Sequence, residues 1–310
     1  VRGAMAIIGD ASEGLLSPPP PEGGHLQGPR AGWRLALASF VENKLAVVGL
    51  AIIILFLAFC FLGPYVYHTN QTQTNVIAAY TAPGKGHPLG TDADGFDELG
   101  RIMIGGQSAL EIGLFSSLVA TVIGTVVGAI AGLVGGIVDA VLMRLVDVLL
   151  SIPLLFVILI VSAHYGASVV KLSLIIGAFS WLVSARLVRG EVLTLRVRDF
   201  VLAARTMGAT KNRLMYKHLI PNALGVVIVN ITFQVADSIN FLAVLGFLGF
   251  GLNYPQVDWG DMLSNALNSL QDGYWWLVYP VGICLVIVVM AFNFVGDALR
   301  DTVDVRLRRR

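Results

Sequence analysis

In a chain of 310 residues that is 56% hydrophobic and only 13% charged, charge is about half of what a soluble domain carries, so lipid is the solvent for much of the surface and a soluble fold is excluded. The net charge of +1 implies no acidic partner such as nucleic acid. The two cysteines, Cys60 and Cys284, both lie in apolar runs and read as small buried hydrophobes, not as a disulfide or a metal site.

Residues 1–29 are poor in bulky apolar side chains and carry a run of prolines at 18–21, which predicts a disordered cytoplasmic tail. No cleavable leader is expected there, and the first apolar span serves as its own insertion signal. Over 30–44, Trp33, Leu37, Phe40 and Val41 share one helical face. An interfacial amphipathic helix and a plain extension of the first span both fit that pattern. From 45 to 310 the sequence predicts an all-α membrane domain. Apolar stretches long enough to cross a bilayer run at 45–66, 112–136, 140–163, 169–188, 223–246 and 277–297. A long polar segment, 68–110, separates the first two, and a semi-polar aromatic loop, 251–274, separates the last two. In the second span Gly124, Gly128 and Gly132 recur every fourth residue, a ladder that lets helix backbones approach closely. The lysine and arginine bias orients the chain with both termini in the cytoplasm. That orientation puts Arg30, Arg34, Lys44, the 186–217 stretch and 300–310 inside, and leaves Lys85, Arg101, Lys171 and an acidic set (Asp92, Asp94, Asp97, Glu98, Asp258, Asp261, Asp272) outside.

The most informative stretch is the basic island at 199–221, between the fourth and fifth spans. Asp199 is expected to cap a helix over 200–207, Gly208 to close it in the left-handed conformation, Thr210 to cap a second helix over 211–220, and Pro221 to stop that helix. Ala203 and Ala204 lack bulk, so another protein's surface can sit close to them. Arg205, Lys211, Arg213 and Lys217 give the bracket a positive rim. On charge alone the island is a loop that fixes topology; its caps and hinge suit presentation to a cytoplasmic partner.

Ionisable residues inside a membrane are costly and face an interior. Arg144 and Asp147 sit three apart near the cytoplasmic end of the third span, placed to pair with each other or with Arg186. Gln234, Asp237 and Asn240 form a polar stripe in the fifth span. The stripe either lines a translocation path or hydrogen-bonds a neighbouring helix. His164, at the outer end of the third span, reads as interfacial.

The string Leu202-Ala203-Ala204-Arg205-Thr206-Met207-Gly208, then nine residues, then His218-Leu219-Ile220-Pro221, resembles the EAA motif of ABC importer permeases. Leu202 stands where the motif has its glutamate. His87-Pro88-Leu89-Gly90-Thr91-Asp92, Trp181 with Arg186 and Arg189-Gly190-Glu191, the glycine-rich run ending at Gly251, Trp259-Gly260, and Gly296-Asp297 with Arg300-Asp301 point the same way. Together they resemble the second, C-type permease of dipeptide, oligopeptide and nickel importers. Phe96, Gly100, Gly246 and Val305 depart from the family pattern.

That resemblance implies a type I ABC importer permease fold with six spans and a cytoplasmic coupling helix. Ala203, Ala204, Arg205, Gly208, Ala209, Arg213, Lys217 and Pro221 would dock on a separate ATP-binding subunit, with a homologous B-type permease completing the pore. An extracytoplasmic solute-binding protein would deliver peptide, or another small solute, in the plasma (inner) membrane of a bacterium. No phosphate-binding Gly-x-x-x-x-Gly-Lys-Ser/Thr string occurs, so ATP and magnesium are expected on the partner and no cofactor or catalytic residue on this chain. The competing reading is a proton-coupled secondary transporter acting through Asp147 or Asp237. It lacks an inverted repeat in its favour.

Overall fold

The computed structural model describes residues 40–308. The expected tail lies outside the described residues, as does most of the expected interfacial helix, of which residues 40–42 are helical. Among the described residues there is no strand, only two isolated bridges in the polar segment. The helices are α1 Lys44–Val66, α2 Glu98–Val134, α3 Gly136–Leu150, α4 Leu154–Tyr165, α5 Val169–Leu195, α6 Asp199–Thr206, α7 Lys211–Leu214, α8 Ile220–Phe247, α9 Trp259–Leu270 and α10 Tyr279–Arg308. Five helical stretches are long and apolar enough to span, and α3 with α4 makes a sixth that is broken by a 78° bend.

Local chemistry sets the boundaries. Asn43 caps α1, its side-chain oxygen accepting from the amides of Leu45 and Ala46 at 3.1 and 3.3 Å. Asp97 caps α2 by accepting from Gly100 N–H at 2.9 Å. This start lies well before the expected 112, because Gly100, Gly105, Gly106, Gln107 and Ser108 lower the hydropathy of a segment that is nonetheless helical. Several of those small residues are demanded by packing. A Cβ on Gly105 would lie 2.8 Å from the Trp259 ring, and one on Gly106 would lie 2.4 Å from Cys60 Sγ. The expected third span is two helices because Pro153 has no N–H to donate and disfavours helical geometry at Ile152. The loop expected over 251–274 contains α9, capped by Asp258.

The tightest seam is between α2 and α5. A Cβ on Gly124 would meet Ser184 Cβ at 2.4 Å, one on Gly128 would meet the Ala185 carbonyl oxygen at 2.4 Å, and one on Gly132 would meet Val192 Cγ1 at 2.8 Å. The glycine ladder therefore packs inside the subunit. Gly177 answers from α5, where a Cβ would lie 2.8 Å from the Ser116 carbonyl oxygen. Two ion pairs, Arg189–Asp139 and Arg186–Asp147, lash α3 to α5. The second is one of the pairings expected for Asp147, whereas Arg144 makes no ion pair among the described residues.

The charged residues divide the bundle into a basic end, with α6 and α7, and an acidic end, with the 68–97 segment and α9. Trp259 anchors the acidic end. It is 1% exposed, donates from Nε1 to the Ile102 carbonyl at 3.1 Å and stands edge-on to Phe56. Asp258 beside it accepts from Leu252 and Asp261 N–H, both at 2.8 Å. Burial pushes its carboxyl above the usual range, against the pull of those amides. Gly246 leaves room for this carboxyl, since a Cβ there would fall 1.8 Å from Asp258 Oδ1 as it now stands. Asp97 gathers the polar segment, accepting from Tyr67 OH at 2.8 Å and facing His87 Nδ1 at 2.9 Å. Trp276 Nε1 donates to the Thr91 carbonyl at 3.3 Å, and Tyr80 stacks on Tyr274 at 4.4 Å.

The seam and an open helical glycine separate packing from propensity. Gly128→Val drives side-chain atoms into the α5 backbone and is expected to lower stability by about 3 kcal/mol or more. Gly190→Ala on the same α5 meets nothing within 4 Å and is expected to be neutral, or to stabilise by about 0.5–1 kcal/mol. Thermal unfolding of the detergent-solubilised protein, followed by intrinsic fluorescence, reads both.

Candidate functional site

The basic island folds as a capped bracket. Arg198, in extended conformation, precedes α6, and its carbonyl accepts from Val201 and Leu202 N–H. Asp199 is therefore the first helical residue and not the cap; its charge still favours the positive end of the helix dipole. At the other end Gly208 N–H reaches the Arg205 carbonyl and Ala209 N–H reaches the Ala204 carbonyl, both at 3.0 Å, with Gly208 at φ 83°. This paired closure needs a left-handed residue at that point, which glycine supplies without a side-chain clash. Thr210 Oγ1 accepts from Arg213 N–H at 3.3 Å and starts α7.

Pro221 does not stop the second helix. Met215–Leu219 forms a π turn, Ile220 N–H reaches back to the Met215 carbonyl, and the helical path from Lys211 to Phe247 is continuous. A proline inside an α-helix would collide with the carbonyl four residues earlier. The wider turn just ahead of it relieves that crowding.

The bracket has two faces. Val201, Ala204, Leu214, Leu219 and Ala223 are buried against Leu133, Val188, Val192 and Leu195 at the ends of α2 and α5. Ala204 thus turns into the subunit, while Ala203, Arg205, Gly208, Arg213, Lys217 and Pro221 are exposed and Ala209 is half-buried. Three apolar side chains outside the sequence expectation join the outer face: Phe200, Met207 (82% exposed) and Tyr216. The sequence signal for Met207 and Tyr216 was their position among polar neighbours, where a lipid contact has no purpose. Beside the bracket a cavity of about 650 Å³ is walled by Val134, Arg196, Leu202, Arg205 and Lys211. Arg196 holds this corner by donating to the Gly132 carbonyl at 3.0 Å, a group freed at the end of α2.

The polar stripe of α8 divides. Gln234 is 6% exposed, accepts from Thr121 Oγ1 at 3.3 Å and donates to the Ser180 carbonyl at 2.7 Å, so it joins α2, α5 and α8. Asn230 donates to Ser184 Oγ at 2.6 Å one turn away. These are the neighbouring-helix bonds that the sequence left as one of two readings. Asp237 and Asn240 stand on the open face of α8. Three residues of helical path turn the stripe by about 60°, which is why one end is inside and the other outside. His164 packs edge-on to Tyr165 at the acidic end, and no cluster of metal-capable side chains occurs among the described residues.

Residues 124–309 match the model of the binding-protein-dependent transport system inner membrane component. Residues 32–83 match the N-terminal transmembrane domain of oligopeptide transport permease C. The chain is 39% identical to the oligopeptide transport system permease protein OppC of Escherichia coli (strain K12), over 89% of this chain and 91% of that one. It is 35% identical to the protein of the same name from Bacillus subtilis (strain 168), over 89% and 90%. Identity to the dipeptide transport system permease protein DppC of Alkalihalophilus pseudofirmus is 34%, over 94% and 95%. The capped bracket, the broken third span and the small-residue seam are therefore features of a chain that belongs to the binding-protein-dependent transport system inner membrane component family, the integral-membrane permease subunits of ABC importers.

Proposed function

We propose that this chain is the C-type permease of an ATP-driven importer of dipeptides or oligopeptides, half of a pore completed by a homologous permease. The observation that carries the proposal is the bracket. Its inner face is packed on α2 and α5, and its outer face offers Met207, Tyr216, Arg205, Arg213 and Lys217 to a cytoplasmic ATPase. Peptide as cargo follows from the relatives, which are permeases of oligopeptide and dipeptide transport systems. Closure of the ATPase pair moves the bracket, and because the bracket runs without a break into α8, the span moves with it. The basic end faces the cytoplasm, so both termini lie there, and the acidic end receives the solute-binding protein. Asp237 and Asn240, on the open face of α8, border the pathway. Family membership disfavours the proton-coupled alternative, which requires uptake by this chain alone.

Orientation is checked with an impermeant thiol reagent on intact cells. Asp94→Cys is expected to be labelled from outside and Met207→Cys only after permeabilisation; the native thiols are buried or half-buried. For coupling, Met207→Cys is expected to cross-link to the ATPase subunit in the assembled transporter. Gly208→Val, which forces a β-branched residue to positive φ, is expected to cut solute-stimulated ATP hydrolysis at least tenfold while the protein still inserts. Full stimulation in Gly208→Val, or uptake by the purified chain alone that Asp237→Asn abolishes, would count against the proposed role.

A further inference from the structure

A cavity of about 290 Å³ opens at the acidic end, between the 92–101 segment on one side and α9 with Leu277 on the other. No residue of α8 lines it, so it is separate from the polar stripe. Glu98 lies at its wall, 2% exposed, and the Oε1 atom of this carboxyl has no hydrogen-bond partner. A buried carboxyl oxygen left without a partner is destabilising, and buried charges in folded proteins are paired. Arg101 is the adjacent cation, but its Nε is 3.3 Å from Asp92 and its guanidinium lies over the Phe96 ring at 4.9 Å. With Arg101 and Asp92 paired to each other, the carboxyls of Glu98 and of the exposed Asp94 at the rim are the acidic groups left facing the cavity.

The opposite wall is mixed: the buried Met262, Ala266 and Leu277 give it an apolar strip, and Asn265 and Ser269 stand beside that strip. A divalent ion would require six or more oxygen ligands, and no group of three metal-capable side chains lies together among the described residues. An apolar strip with polar groups beside it, facing two carboxyls, instead suits a group that is alkyl along its length and cationic at its tip. The volume is about that of ten liquid waters, ample for one such side chain.

We infer that this cavity is a socket for a single lysine or arginine side chain of the solute-binding protein, its stem on Met262 and Leu277 and its cation between Glu98 and Asp94. The inference rests on the importer reading and names a contact by which the acidic end holds its delivery partner. Charge complementarity of this kind governs encounter and orientation, and removal of one partner of a desolvated pair costs more than removal of a rim charge.

The test uses the assembled transporter in nanodiscs and the solute-binding protein that stimulates its ATPase. Glu98→Gln is expected to weaken binding of that protein at least tenfold and to flatten its salt dependence. Asp94→Asn, at the exposed rim, is expected to weaken binding about twofold to fivefold. One lysine or arginine of the binding protein, changed to glutamine, is expected to reproduce the Glu98→Gln loss and to add nothing to it in the double variant. Unchanged affinity in both permease variants overturns the socket, as does losing affinity with EDTA and regaining it with calcium only when Glu98 is present. Should Glu98→Gln fail to assemble, unchanged affinity in Asp94→Asn is sufficient to overturn it. If no solute-binding protein stimulates the wild-type transporter, the importer reading itself fails, which is a different outcome from a stimulated transporter whose Glu98 is silent.

Discussion

The fold depends on how closely the α2 and α5 backbones approach. At Gly124, Gly128 and Gly132 there is no room for a methyl group against Ser184, Ala185 and Val192. In lipid no hydrophobic effect drives helices together, so association relies on close packing and on polar bonds between helices. Both are present along this seam. The glycines give contact over about two turns, and Gln234 and Asn230 stitch α8 to the same pair through Thr121, Ser180 and Ser184. The ion pairs of Arg186 and Arg189 then hold α3 on the outside of α5. A rigid α2–α5–α8 unit results, and the bracket is seated on its basic end through Leu133, Val192 and Leu195.

The acidic end is organised differently. Its parts come from distant stretches of sequence, and aromatic groups with a polar edge connect them. Trp259 and Trp276 each place a ring in an apolar setting and donate to a carbonyl of another segment, Ile102 and Thr91. Asp97 and Asp258 each serve as a helix cap, and each also gathers further partners: Tyr67 and His87 for Asp97, Leu252 for Asp258. This construction gives the end a fixed surface without a sheet or a disulfide.

Much of the architecture was legible because the bilayer makes length and hydropathy decisive. Five of the six expected spans are single helices at the expected places, and the ladder of glycines marked the principal seam. What escaped the sequence was governed by tertiary contact. The early start of α2 was hidden by glycines that exist to admit Trp259 and Cys60. The break in the third span was hidden because Pro153 sits within a continuous apolar run. Helix α9 was hidden among aromatic and acidic residues that resemble a loop. In the candidate site the hinge at Gly208 was readable, since only a left-handed residue closes α6 as observed. The inward turn of Ala204 beside the outward turn of Ala203 was not, because two adjacent alanines do not reveal which face meets the core.

The π turn at Met215–Leu219 has a mechanical consequence. Without it Pro221 would kink or break the helical path between the bracket and the span. With it, Lys211–Phe247 is one strut. At about 1.5 Å per residue, the open carboxylate of Asp237 sits about 40 Å along that strut from Lys211. A pivot of only about 5° at one end sweeps the other through about 3.5 Å, the width of a small polar group. A strut of this length turns a slight rocking at its Lys211 end into a displacement of atomic size at Asp237.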